Sequence, residues 1–169
     1  MHLVIGGHGL IGTALCSELA ARGIRHQGTS RRNPDGGMIL FDLAGANMWN
    51  NIAMLPLPAD VKAIYLVAAV VGYSACEKNP FSWLINVDGT IALARHYHRS
   101  FPVFISSDVV EMSGTAAYQV QKRTVESYIH SIDGAIIRPG RVAPERAGEL
   151  AKVIVDVRLA RRPGVTRWA

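Results

Sequence analysis

Ile5-Gly6-Gly7-His8-Gly9-Leu10-Ile11-Gly12 joins a strand-like run, His2–Gly6, to a helical stretch, Leu10–Arg22. Glycines let the backbone turn tightly between the two, and Gly23 suits a left-handed helix cap. The same alternation continues outward. Ile24–Thr29 and Met38–Asp42 read as short strands, with a weak helix near Asn47–Met54. Val61–Ala69 is an apolar, β-branched run of the kind buried on both faces of a parallel sheet. Asn79-Pro80 reads as a cap followed by a first-turn proline, opening a helix that runs to about Ser100. Val103–Ser106, Ala116–Ser131, Ala135–Arg138 and Glu145–Arg162 then read as strand, helix, strand and helix. Such repetition, with right-handed crossovers, predicts a doubly wound parallel α/β domain of about six strands in three layers.

Composition narrows the class. The chain has 169 residues, one domain's worth, with 49% hydrophobic and 18% charged residues, a globular balance. The longest apolar run, Ala63–Val71, is about half a membrane span. Met1 leads directly into a strand without a basic start, so no secretory signal is expected. Cys16 and Cys76 are too few for a disulfide scaffold, and a cytoplasmic protein with reduced thiols is expected. The net charge of +5 is unevenly placed: residues 1–137 carry 10 Lys/Arg against 10 Asp/Glu, and residues 138–169 carry 8 against 3. Nucleic acid is not favoured, because the basic segment lacks aromatic interleaving and any DNA-binding pattern. A solvated helix face, an anionic ligand or a partner contact remain.

Gly7-x-Gly9-x-x-Gly12 and Gly6-x-x-Gly9-x-x-Gly12 both fit a dinucleotide turn. There the backbone approaches a pyrophosphate whose charge the helix N-terminus stabilises. Past the second strand, where an NAD protein offers an acid to the ribose, the chain reads Gly28-Thr29-Ser30-Arg31-Arg32. Two guanidiniums suit a 2′-phosphate, which favours NADP; the alternative is that Arg31 and Arg32 are solvated and NAD binds.

Tyr118-Gln119-Val120-Gln121-Lys122 places a phenol and an ammonium on one helix face. A neighbouring cation favours phenolate and is expected to lower the tyrosine pKa, making Tyr118 a candidate proton donor or acceptor. Upstream, Ser106-Ser107-Asp108 ends a strand with hydroxyls that could hydrogen-bond a reacting oxygen. With the glycine turn and Tyr-x-x-x-Lys together, the chain resembles the short-chain dehydrogenase/reductase superfamily and its Rossmann fold. The likeness is nearest to the extended branch of NAD-dependent epimerase/dehydratases and dTDP-4-dehydrorhamnose-reductase-like proteins. Asp42-Leu43, Val67-Ala68-Ala69, Ile85-Asn86-Val87-Asp88-Gly89-Thr90 and Ile137-Arg138-Pro139-Gly140-Arg141-Val142 resemble further segments of that branch, in its order.

The resemblance implies that Tyr118 is the general acid/base, that Lys122 anchors the nicotinamide ribose, and that Ser107 orients the substrate oxygen. Ser106 is an alternative to Ser107, and a third register would put Asp108 there. It also implies a cofactor site of Gly6, Gly9, Leu10, Ile11, Gly12, Arg31, Arg32, Asp42, Leu43, Ala68, Ala69, Tyr118, Lys122, Pro139 and Val142. The implied reaction passes hydride between NADP, or NAD, and a carbonyl/hydroxyl carbon of a nucleotide sugar. Two features depart from the branch: the short Ser107–Tyr118 spacing, and a C-terminal substrate-enclosing region that looks largely absent. A non-catalytic NADP-binding sensor and a half-enzyme completed by a partner chain therefore stay open. Helices Gly89–Ser100 and Ala116–Ser131 could pair in a homodimer.

Other residues carry blander expectations. His96 and His98 point apart on a helix and form no metal pair, so no metal is expected. Asn86 is a packing amide or the holder of a relay water. Cys16 reads as core, Trp49 and Trp83 as packing anchors, and Trp168 as an exposed remnant of absent structure.

Overall fold

Strands that bury both faces sit at the centre of a sheet, and His2–Ile5 (β1) is such a strand, with all its residues buried. The computed structural model describes residues 1–32, 37–44 and 52–168. The expected helix near Asn47–Met54, with Trp49, falls mostly outside these residues. After β1 come α1 (Leu10–Ala21), β2 (His26–Ser30), β3 (Ile39–Leu40), β4 (Ala63–Leu66) and a short α2 (Tyr73–Lys78). Then follow α3 (Thr90–His96), β5 (Phe101–Ile105), α4 (Ala117–Ser131), β6 (Ala135–Pro139), α5 (Ala147–Leu159) and β7 (Gly164–Trp168). Among the described residues the strands form one seven-stranded sheet in the order β3-β2-β1-β4-β5-β6-β7, parallel at each junction. This is a Rossmann-type doubly wound α/β fold.

Strand alternation divides the core in two. Leu3, Ile5, Ile64, Leu66, Phe104 and Ile136 face one side, where Leu93 and Tyr97 from α3 and its end, and Val125 and Ile129 of α4, cover them. Val4, Tyr65, Val103, Ile105 and Ile137 face the other, covered by Leu15 and Leu19 of α1 and Leu150 and Ile154 of α5. Each fully buried aliphatic side chain contributes about 1.5–3 kcal/mol of hydrophobic stabilisation.

Several expectations need correction. The sheet has seven strands rather than about six, because residues 164–168 pair in parallel with β6 instead of trailing as a tail. Trp168 is consequently no exposed remnant: it packs against the second core, with the Arg146 guanidinium 4.3 Å from its ring centre. The helix expected from Asn79 to Ser100 is divided. A π-helical turn, Leu84–Gly89, leads into α3, and the Tyr97 cap ends it. Asn79 does act as a local cap, its Oδ1 accepting from Phe81 N (2.9 Å). Trp83 is 44% exposed, so it is not the buried anchor expected. Asn86 is the packing amide: it bonds the backbone of Val70 through both its side-chain atoms and donates to Gln121 Oε1 (2.7 Å), tying the β4 exit to α4.

Candidate functional site

In an open parallel sheet the crevice lies beyond the carboxyl ends of the strands, where the strand order reverses. Here that point is between β1 and β4, and a cavity of about 770 Å³ opens there. Gly6, Gly9, Leu10 and Ile11 reach it from the β1 exit, and Arg31 and Arg32 from the β2 exit. Asp42 and Leu43 follow β3, Ala68 and Ala69 follow β4, and Pro139 and Val142 come from β6 and its exit. Ser107, Tyr118 and Lys122 form the remaining wall.

Of the expected cofactor-site and catalytic residues, Gly12 is the one that does not line the cavity. It is buried beneath the turn, where a Cβ would collide with the Gly6 carbonyl oxygen and approach Gly7 Cα to 2.8 Å. Gly6 has φ +90°, and a Cβ there would lie 2.8 Å from Ala68 N. The turn is held by Gly6 N donating to Thr29 Oγ1 (3.1 Å) and Gly7 N donating to Thr29 O (2.8 Å). Side chains at Gly6 and Gly12 would distort this backbone turn. Ser106, on the cavity wall, is buried with its Oγ unpartnered among the described residues. A backbone cradle at a helix start, beside an apolar crevice with an unsatisfied hydroxyl, fits a dinucleotide.

The wall beyond the turn is ordered by burial. Lys122 lies in α4, is buried, and donates from Nζ to Ile105 O (2.8 Å) at the end of β5. Its ammonium sits 4.7 Å from the Phe104 ring centre and 5.7 Å from that of Tyr118. Burial pulls its pKa down from 10.5 to about 8. Tyr118 moves the opposite way from the sequence expectation: burial, chiefly, pushes it up to about 12, and a hydrogen bond with Ser107 counteracts this only in part. The i, i+4 spacing correctly put Lys122 on the tyrosine's helix face, but its charge is directed to a carbonyl and the phenol is too dry to ionise easily.

Ser107 caps a 3-10 turn, Asp108–Glu111, and its Oγ donates to Asp108 Oδ1 (3.1 Å). Ser107 is thus bonded to both Tyr118 and Asp108, while Ser106 lines the same cavity with its buried Oγ unpartnered among the described residues. Sequence reasoning missed the Val70–Tyr73 wall, where Tyr73 packs edge-on against Tyr118 with ring centres 6.2 Å apart. The only sequence signal there was Gly72, whose φ of +95° turns the chain into α2. Among the described residues no cluster of His, Cys, Asp and Glu could hold a metal ion, and no helix is long and apolar enough to cross a membrane.

The sequence matches the NAD dependent epimerase/dehydratase family over residues 2–154. The chain belongs to that family. Among solved structures, this family member is similar to a hypothetical dTDP-4-dehydrorhamnose reductase from Sulfolobus tokodaii. That match has 19% identity and a TM-score of 0.83, and covers 100% of this chain and 76% of that one. It is also similar to a Brucella ovis short-chain dehydrogenase/reductase in complex with a partially ordered NAD (18%, TM-score 0.80, 99% of each chain). MoeE5 in complex with UDP-glucose and NAD matches at 16% and TM-score 0.74, over 98% of this chain and 74% of that one. At these identities the likeness is one of fold. No curated protein matches the chain.

Lys122 gives a first test. An unfolded chain holds its lysine proton up to about 10.5, whereas the folded one releases it near 8. Between those values the unfolded state binds more protons, so folding becomes more favourable as pH rises. Below them the folded protein carries a buried charge at a constant cost. Lys122→Met is expected to melt a few degrees above the natural protein near neutral pH, roughly 2–4 °C per kcal/mol, with the gap closing as pH climbs towards 10.5. A variant that melts lower near neutral pH would mean that the bond to Ile105 outweighs desolvation.

Proposed function

We propose that this family member is an NADP-linked oxidoreductase or epimerase-type enzyme acting at a carbonyl/hydroxyl carbon of a nucleotide sugar, with Tyr118 as its general acid/base. One observation carries the reading: a single crevice joins the glycine turn at one end to Ser107, Tyr118 and Lys122 at the other. The nucleotide-sugar class is supported by the fold shared with MoeE5, which binds UDP-glucose and NAD.

The nicotinamide, when bound, supplies or accepts the hydride. Gly6, Gly9, Leu10 and Ile11 offer backbone to the pyrophosphate, and Asp42 and Leu43 border the adenine end. Lys122 holds the nicotinamide ribose with N–H bonds other than the one spent on Ile105 O. Tyr118 Oη carries the proton exchanged with the substrate oxygen, and Ser107 orients that oxygen. With its pKa near 12, the phenol is protonated at neutral pH and is ready to donate, which suits carbonyl reduction.

Arg31 and Arg32 are both exposed at the cavity edge. A 2′-phosphate there would gain charge-assisted hydrogen bonds. The double variant Arg31→Ala/Arg32→Ala is expected to weaken NADPH roughly 10- to 100-fold while leaving NADH affinity within about twofold. Fluorescence titration of the two coenzymes checks this, and equal losses for both would remove the NADP preference. The function itself is tested by coenzyme consumption against a panel of nucleotide-sugar and simple carbonyl substrates. Coenzyme binding without turnover of any of them would favour a sensor.

A further inference from the structure

The opposite pole of the sheet, at the amino ends of the strands, gathers cations the proposed reaction does not use. Lys62 precedes β4; its carbonyl accepts from Phe101 N (3.2 Å) and from Arg158 Nη2 (3.1 Å). Arg158 and Arg161, at the end of α5, lie 5.8 Å and 6.0 Å from the Phe101 ring centre. Beside them opens a concavity of about 430 Å³ whose walls include His98, Arg99, Phe101, Asp133 and Arg161. No ion pair to Lys62, Arg99, Arg158 or Arg161 is formed among the described residues. Arg158 Nε is buried without a partner. The crowding is felt nearby: after burial itself, Arg158 and the terminal amine are the largest influences holding His2 down to about 4.

Backbone geometry adds an independent sign. Helices α1, α4 and α5 end in the same two-bond motif. Gly23 N and Ile24 N bond Ala20 O and Leu19 O; Asp133 N and Gly134 N bond His130 O and Ile129 O; Arg161 N and Arg162 N bond Arg158 O and Val157 O. The residue after the cap must be left-handed in this motif, which is why glycine usually fills it. Gly23 does so at φ +67°, with nothing within 4 Å of where a Cβ would stand. Asp133 (φ 53°) and Arg161 (φ 45°) occupy the other two positions, the only left-handed non-glycines among the described residues. Both line the concavity. The attraction of a helix C-terminus for cations accounts for an arginine near this end, yet the same dipole disfavours Asp133. Charged side chains stand at both turns where glycine would relieve the backbone.

We propose that this concavity is a binding site for a phosphate dianion, free or on a small phosphomonoester or lipid headgroup. Arg161 and Arg99 supply the charge-assisted donors, His98 adds a ring N–H, and Asp133 limits affinity from the rim. Guanidiniums match phosphate oxygens by geometry as well as charge, and here Arg99 and Arg161 must outweigh the helix C-terminal dipoles that disfavour any anion at this pole. The site is separate from the cofactor crevice and stands whether or not the proposed reaction does.

Arg161→Gly is the natural test, because it removes the cation where glycine is the easier backbone residue. Melting and calorimetric titration with inorganic phosphate, at ionic strength held constant with chloride, are the measurements. The natural protein is expected to bind saturably and melt higher with phosphate. Arg161→Gly should melt at the same temperature or higher without phosphate, and bind it roughly tenfold or more weakly. Arg99→Ala should weaken binding likewise, and Asp133→Asn should strengthen it. Glycerol phosphate and vesicles containing phosphatidic acid separate the sources, and binding of either that Arg161→Gly weakens supports the site. An unchanged phosphate response in Arg161→Gly overturns it. So does a response that chloride alone reproduces, or phosphate that NADH displaces.

Discussion

Tyr118→Phe is expected to lower turnover roughly 100- to 10,000-fold, the usual worth of a positioned general acid, while coenzyme affinity stays within about twofold. The substitution removes one oxygen and little else. Tyr118 is 6% exposed, and its ring packs edge-on against Tyr73, a contact phenylalanine keeps. Ser107 loses its hydrogen bond to the phenol but retains the one to Asp108. The fold should therefore be intact, and the melting temperature reports whether it is. Full activity in a well-folded Tyr118→Phe would send the proton elsewhere and remove the central residue of the proposed chemistry.

The raised phenol pKa gives that experiment a direction. Carbonyl reduction needs the protonated form, already dominant at neutral pH, so its rate should change little between about pH 6 and 9 through this group. Alcohol oxidation needs the phenolate. Its rate should climb across the same interval, because the fraction ionised rises with each step towards the pKa near 12.

The sheet was legible in the chain because buried parallel strands are written as short apolar runs between helices. Val61–Ala69 and Val103–Ser106 have few other readings. β7 escaped because an edge strand faces solvent on one side: Gly164–Trp168 alternates half-buried and exposed residues and carries Arg167 outward to Glu111. The proline and glycine that open it looked like the punctuation of a tail. The site followed from the fold, since residues at the carboxyl ends of strands must border the crevice whatever else they do. What spacing could not convey is the environment. Tyr118 and Lys122 share a face as expected, but whether a cation lowers a phenol depends on water, and α4 buries both. Tyr73 was missed for a related reason, as nothing local marks a six-residue helix that folds back over a tyrosine distant in sequence.

Two glycines of the turn separate folding from binding. In Gly12→Ala the new methyl meets the Gly6 carbonyl oxygen and Gly7 Cα, and backbone cannot rotate aside as a side chain would. Either α1 shifts away from β1 or the turn reshapes. Overpacking of this kind costs about 1–3 kcal/mol, and the displaced amides no longer converge on one point. Loss of detectable dinucleotide binding, with a melting temperature lower by several degrees, is the expected result. Gly9→Ala differs in mechanism. Its φ is −75°, and the nearest atom to the new Cβ is Gly6 O at 3.5 Å, an ordinary contact. Its methyl faces the crevice rather than the core, so stability should hold while the pyrophosphate meets an added carbon and affinity falls roughly tenfold or more, about 1.4 kcal/mol. Titration and melting of the pair decide the matter. If Gly9→Ala binds like the natural protein, the phosphates do not lie against this turn; if Gly12→Ala binds normally, the close approach beneath it has no hold on the cofactor.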